Sequence, residues 1–325
     1  MLSLRLCVVL LPLLALAGAI NVPQQQLSVD IPLENLLQKF KDNHLNTNTV
    51  THVIEKILEK VKADQGQEEA SLSSVDIEPY IIDGYQVQGV DNAPHLVSMS
   101  MSSVAYAHFC AGSIIFKSWV LTAAHCVEEL SQLNGGIIGT PIYAGITNRS
   151  NVTGAQIREV DFASIHRSFT GVAGSADIAL LHVSQPFVLS ARVQPITLPD
   201  NNEDYSNKTT IAYGWGLTDV DGDEYSKELQ YAFAPLLSSS DCAGKMASDA
   251  PLTTSQVCAQ IKVCYGDGGT PLVYWPIDGP AELVGLGSWS YMPCGYGNRP
   301  AVFTSVSSYV SWILQVISAY YQLNK

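Results

Sequence analysis

Three short stretches hold the residues best suited to chemistry. Leu121-Thr-Ala-Ala-His-Cys126 sets His125 after an apolar run and beside a cysteine. A histidine just after a strand and clamped by a disulfide cysteine keeps one orientation, as a general base requires. A histidine standing alone is more often structural. Gly174-Ser-Ala-Asp-Ile-Ala-Leu-Leu181 puts Asp177 in front of an apolar strand. A carboxylate there can be buried and can orient an imidazole through its Nδ1–H; alone, it is an ordinary turn residue at a strand start. Cys264-Tyr-Gly-Asp-Gly-Gly-Thr-Pro-Leu272 is a glycine-rich turn that follows a cysteine.

The elements that must position these stretches differ along the 325-residue chain. Hydrophobic content of 47% and charged content of 14% are a globular balance. A net charge of −13 argues against nucleic acid and anionic membrane surfaces as partners. Arg5, the apolar run Leu6 to Ala17 and Ala17-Gly18-Ala19 read as a secretory leader cut after Ala19, residues 1–19, too short to span a membrane. In residues 20–80, Leu33, Leu36, Leu37 and Phe40, then Val50, Val53, Ile54, Ile57, Leu58 and Val61, recur with helical spacing. Two short amphipathic helices are expected there, with an acidic linker from Ala63 to Glu78. From Ile81 onward, short β-branched and aromatic runs alternate with Gly, Asn, Asp and Pro clusters, which predicts antiparallel β-structure over 81–325. Val306 to Leu323 departs from this with the period of a terminal helix.

Cys7 falls in the leader. The other six cysteines, Cys110, Cys126, Cys242, Cys258, Cys264 and Cys294, are an even set without zinc-like spacing, as an oxidising compartment favours. No metal or cofactor is expected. Asn148, Asn151 and Asn207 begin glycosylation sequons.

The order His, Asp, then a glycine-rich turn after a cysteine resembles the trypsin/chymotrypsin family of serine endopeptidases. Tyr213-Gly-Trp-Gly216, Ser288-Trp289 and the Trp312-containing helix add to the likeness, which runs from about Ile81 to Ile317. The resemblance implies an all-β fold: two six-stranded antiparallel barrels with a C-terminal α-helix and the site between them. It pairs Cys110 with Cys126, Cys242 with Cys258, and Cys264 with Cys294. It makes His125 the base, Asp177 its orienter, and the backbone N–H groups of Gly266 and Gly268 the oxyanion hole.

The family's turn reads Gly-Asp-Ser-Gly-Gly-Pro, whereas this chain has Gly266-Asp-Gly-Gly-Thr-Pro271. Cys264 and Pro271 fix the register, so Gly268 stands at the serine position and offers no oxygen to attack a carbonyl. The Thr270 hydroxyl is expected to face elsewhere. Glycine also opens backbone angles closed to serine. By the same resemblance Lys262 lies at the floor of the specificity pocket, Ser288 and Trp289 line it, and Ser290 and Ala301 replace wall glycines and narrow it. Lys262 suits either an acidic or small side chain, or a decayed pocket from which the lysine snorkels to solvent. Ile81-Ile-Asp-Gly84 resembles the family's mature N-terminus, and Asp267 is the carboxylate that would pair with a new Ile81 ammonium. Tyr80 precedes it, so a chymotrypsin-like rather than a trypsin-like activator is expected.

These residues imply a secreted serine protease homologue without catalysis, similar to those of arthropods, acting on extracellular proteins as cofactor, decoy or regulator of proteolysis. Two alternatives stand beside it. The chain could be a working endopeptidase of the family, or the helices of 20–80 could bind the partner with the barrel as carrier.

Overall fold

The computed structural model describes residues 85–87, 89, 93–101, 106–217, 225–276, 278–294 and 299–324. The leader, the helical region with its linker, and the Tyr80–Ile81 junction lie outside the described residues. Residues 79–275 and 280–325 form one unit; of the other, 1–78 with 276–279, only 276, 278 and 279 are described.

The first half closes on itself. Strands β2 (Leu96–Ser100), β3 (His108–Phe116), β4 (Trp119–Thr122), β5 (Pro141–Ala144), β6 (Gln156–Ile165) and β7 (Ala179–Val183) form an antiparallel barrel in the order β2-β3-β4-β7-β6-β5. Every residue of β2, β4, β5 and β7 is buried, so these strands cannot show a wet face. The period-2 alternation instead divides them between two apolar layers. Val97, Met99, Val120, Leu181 and Val183 fill one cluster. Leu96, Trp119, Leu121 and Leu180 face the other, where they join Ile211, Tyr213, Trp215 and Val273 from the second half.

The second half is a sheet of seven strands, in which one two-residue strand adds to the expected six. Its order is β1-β9-β8-β11-β12-β13-β10, with β1 (Tyr85–Gln86), β8 (Thr209–Gly214), β9 (Gln230–Pro235), β10 (Gln256–Ala259), β11 (Pro271–Tyr274), β12 (Glu282–Trp289) and β13 (Ala301–Ser305). The extra strand is β1, which comes first among the described residues and pairs antiparallel with β9. Leu236 bridges Ala259 and so brings the ends of β9 and β10 together.

Among the described residues helices are few. Helix α1 (Ala124–Asn134) buries Ala124, Cys126, Val127 and Leu130 and stops at the left-handed Gly135. Helix α2 (Ser239–Lys245) is capped by the Ser238 hydroxyl, which accepts from the Asp241 N–H. Helix α3 (Val310–Leu323) follows a 3-10 turn, Val306–Tyr309, so the expected terminal helix begins one turn late. It comes last in the chain yet packs on the first barrel. Tyr320 lies 5.2 Å from Trp119, 5.1 Å from Phe162 and 4.4 Å from His182, centroid to centroid. The indole N–H of Trp119 donates to the Tyr321 hydroxyl, and His182 Nδ1 lies 2.6 Å from Asp161 and 3.1 Å from the Tyr320 hydroxyl. No helix of the described residues is long and apolar enough to cross a membrane. The three disulfides join the pairs the resemblance implied.

Candidate active site

His125 sits in the first turn of α1, a helix that the apolar run before it conceals at the sequence level. Its backbone N–H donates to Asp177 Oδ1 at 2.9 Å, and its Nδ1–H donates to Oδ2 at 2.8 Å. Asp177 is fully buried two residues before β7. The hydroxyl of Ser288, from β12, donates to Oδ2 at 2.7 Å, and that of Thr304, from β13, donates to the Asp177 carbonyl at 2.8 Å. Three donors satisfy the buried carboxylate. Both halves of the protein thus hold one aspartate. Burial of the His125 ring acts to lower its pKa, but the hydrogen bond and charge of Asp177, with the charge of Glu129 behind them, outweigh it and raise the pKa above the ordinary imidazole value.

The other face of the imidazole meets Gly268. A Cβ built on Gly268 would lie 2.6 Å from His125 Nε2, 2.9 Å from Cys126 Sγ and 3.0 Å from Cys110 Sγ. The ring therefore reaches into the space that a side chain at 268 would need. The backbone at Gly268 is not left-handed, so glycine is not required there by its φ; the glycine spares steric room, not an unusual angle. The Thr270 hydroxyl is fully buried and donates to the Tyr213 carbonyl, turned away from His125.

The turn around Gly268 is held from several sides. The Gly268 carbonyl accepts from the Ala111 N–H, and the Gly269 N–H donates to Gly287. Asp267 points away from His125 into a dry space, where the N–H groups of Gly216 and Cys264 donate to its two oxygens at 2.8 and 3.1 Å. Burial raises its carboxyl pKa to about 7 against those two bonds. A Cβ on Gly216 would stand 2.3 Å from Asp267 Oδ2, which explains the glycine at that end of Gly-Trp-Gly.

A relay of hydrogen bonds that sequence reasoning missed fixes Gly266. The buried His108 lies 2.9 Å from the Gly266 carbonyl through Nε2 and 2.7 Å from the Ser98 hydroxyl through Nδ1. Tyr106 meets the same hydroxyl at 2.8 Å. A carbonyl only accepts, so Nε2 carries the proton and Nδ1 accepts from Ser98. Burial lowers the His108 pKa to about 3 and keeps the ring neutral. The signal was His108-Phe-Cys110, a histidine on the same strand as a disulfide cysteine. His108→Leu leaves a buried carbonyl without its donor, at a cost of about 2 kcal/mol. We expect the melting temperature to fall by roughly 4–8 °C. An unchanged melt would mean that Gly266 is held without this bond.

The resemblance gives the pocket to Lys262, Ser288, Trp289, Ser290 and Ala301, and of these Ser288 is bonded to Asp177. The Ser290 hydroxyl donates across to the Val263 carbonyl at 3.0 Å, and Ala301 is fully buried on β13. Trp289 and Lys262 are half-buried. Of the sequons, Asn151 and Asn207 are exposed, while the Asn148 amide donates to Glu228 at 2.5 Å and is half-buried.

A family profile described as Trypsin matches residues 81–313. The chain is 33% identical over 261 residues to Lectizyme of Glossina austeni, covering 75% of this chain and 88% of that protein. It is 33% identical over 244 residues to Trypsin of Sus scrofa (74% and 96% covered) and 32% identical over 246 residues to Cationic trypsin-3 of Rattus norvegicus (74% and 90%). The chain belongs to the trypsin family of serine proteases.

Proposed function

We propose that this trypsin-family chain is a secreted protein that binds at its cleft without cutting. One observation carries the reading. No side-chain atom at 268 faces His125 Nε2, and the nearby Thr270 hydroxyl is committed to Tyr213 on the buried side. Base and orienter without a nucleophile cannot form an acyl-enzyme. The N–H groups of Gly266 and Gly268 remain as the oxyanion donors and can still grip a carbonyl.

The leader at 1–19 and the disulfide framework support secretion and extracellular protein partners, with glycans at Asn151 and Asn207 and, less exposed, at Asn148. Residues 20–80 serve as a helical pro-region before the protease domain of 81–325, and cutting at Tyr80–Ile81 supplies an ammonium for Asp267. The partner is a protease or protease substrate whose activity this protein regulates as cofactor or decoy. The intact His125–Asp177–Ser288 array favours the second reading, a working endopeptidase.

A fluorophosphonate probe separates the two. We expect no labelling before or after cleavage at Tyr80–Ile81. Stoichiometric labelling within residues 264–272 would sink the non-catalytic reading.

A further inference from the structure

We propose that the cavity between β6 and α3 is a docking site for a lysine side chain of a partner protein. Its residues belong neither to the His125 array nor to the specificity pocket, and its use is the same whether or not the cleft cuts.

The cavity has a volume of about 530 Å³, within the range of ligand pockets. Asp161, Phe162 and Ser164 line it from β6, and Val316, Tyr320 and Leu323 line it from α3. Consecutive residues of a regular strand point to opposite faces, so Asp161 and Phe162 would not ordinarily share a wall. The ladder explains why they do. Val160 pairs with Val183 and Phe162 with His182, which leaves Asp161 as an extra residue in a β-bulge. A bulge bends its strand and re-aims a side chain. Here it brings a carboxylate to the same cavity as the aromatic rings.

That carboxylate is set on one side and open on the other. A carboxylate only accepts, so His182 Nδ1–H donates to Asp161 Oδ1 at 2.6 Å. The His182 ring is held in turn by Trp119 at 4.9 Å and Tyr320 at 4.4 Å, centroid to centroid. Among the described residues, Asp161 Oδ2 has no hydrogen bond and no lysine or arginine forms an ion pair with Asp161. No basic residue lines the cavity, and α3 carries no charge over Val310–Leu323.

The ligand this suits is a cation on an apolar arm. Phe162 and Tyr320 have ring centroids 5.1 Å apart, and a cation held by a carboxylate beside such rings gains from both. Val316 and Leu323 give an aliphatic stem apolar surface to lie on. A guanidinium takes both oxygens of one carboxylate in a planar fork, and His182 already holds one of them. An ammonium spreads its three donors from a point. Oδ2 takes one. The Ser164 hydroxyl and the Asn324 side-chain oxygen, whose amide nitrogen is spent on the Tyr320 carbonyl, line the same cavity as further acceptors. A net charge of −13 draws basic partners to the chain. The cavity is larger than an ammonium and its stem and opens at the surface, which leaves room for the residues that flank a lysine in a polypeptide.

The test titrates the full secreted chain by calorimetry with acetylated, amidated pentapeptides that carry lysine, Nε-acetyl-lysine, norleucine or arginine between alanines. We expect the lysine peptide to bind about tenfold or more tighter than the norleucine and acetyl-lysine peptides. The arginine peptide should fall between, and the preference should shrink at high salt. Asp161→Asn should abolish the preference, with the melt as a check on folding. Ala319→Trp, which fills the cavity from the exposed Ala319 of α3 and leaves Asp161 and His182 in place, should abolish it too. Equal binding of the lysine and norleucine peptides, binding of neither, or a lysine preference that survives either variant would overturn the proposal. So would an arginine peptide that binds more tightly than the lysine one. Free n-butylamine that binds as tightly as the lysine peptide would put a small amine in place of the partner protein and overturn it as well.

Discussion

Gly268→Ser, once cut after Tyr80, should hydrolyse peptide amides that the unaltered protein leaves intact, though far below a complete triad. Loss of one triad member costs on the order of 10⁴- to 10⁶-fold, so even a partial return stands above background. The new Cβ meets His125 Nε2 at 2.6 Å, so the ring must retreat by several tenths of an ångström. It is not free to do so. Asp177 holds Nδ1 and the backbone N–H of the same residue, and the Cys110–Cys126 disulfide flanks the new side chain. We expect about a hundredfold gain over the unaltered protein, read with a peptide panel that varies the residue before the cleavable bond. The backbone angle at 268 is open to serine, but the clash with a held ring should lower the melting temperature below the parent's. A folded, correctly cut variant that is inert across the panel would mean that the His125 ring does not retreat.

Cleavage itself should change how stability depends on pH. The Asp267 carboxyl is raised by burial to about 7 from an ordinary 3.8. Between those values the uncut folded chain keeps a proton that the unfolded chain gives up. Stability therefore falls as pH rises across that window, by on the order of 4 kcal/mol once both limits are passed. An ammonium at Ile81 beside Asp267 would favour the ionised form and remove that loss. The melting temperature of the cut protein should thus gain on the uncut one from pH 4 to pH 8, by about 10 °C. Carboxylates elsewhere titrate alike in both forms and cancel in the difference. A constant gap over that range would show that Asp267 does not receive the new terminus.

His125, Asp177 and Gly268 were legible because each sits in a short motif fixed by a neighbouring cysteine or strand. The fold was legible for a similar reason: β3, β4, β7 and β12 announce themselves as apolar runs between turn residues. The rest depends on partners distant in sequence. Helix α1 begins inside a motif that reads as the end of a strand, and its buried face has only Ala124, Cys126, Val127 and Leu130. Strand β1 has two residues, too short for any periodicity. The relay from Tyr106 through Ser98 and His108 to Gly266 joins bonded partners up to 158 positions apart, and neither composition nor spacing signals it. The Ser290 bond to Val263 is likewise visible only once β12 lies beside the turn.

Strand β1 precedes the first barrel in sequence but completes the second sheet, while α3 follows the second sheet but covers Trp119, Phe162 and His182 of the first barrel. Each half is thus clasped by the far end of the other. During synthesis, the first barrel emerges from the ribosome with those aromatic rings still wet, and they are covered only after Tyr320 and Tyr321 have left the exit tunnel. A nascent chain stalled before residue 310 would hold both halves nearly complete in length and neither complete in surface. Such a chain exposes apolar surface that the finished one covers.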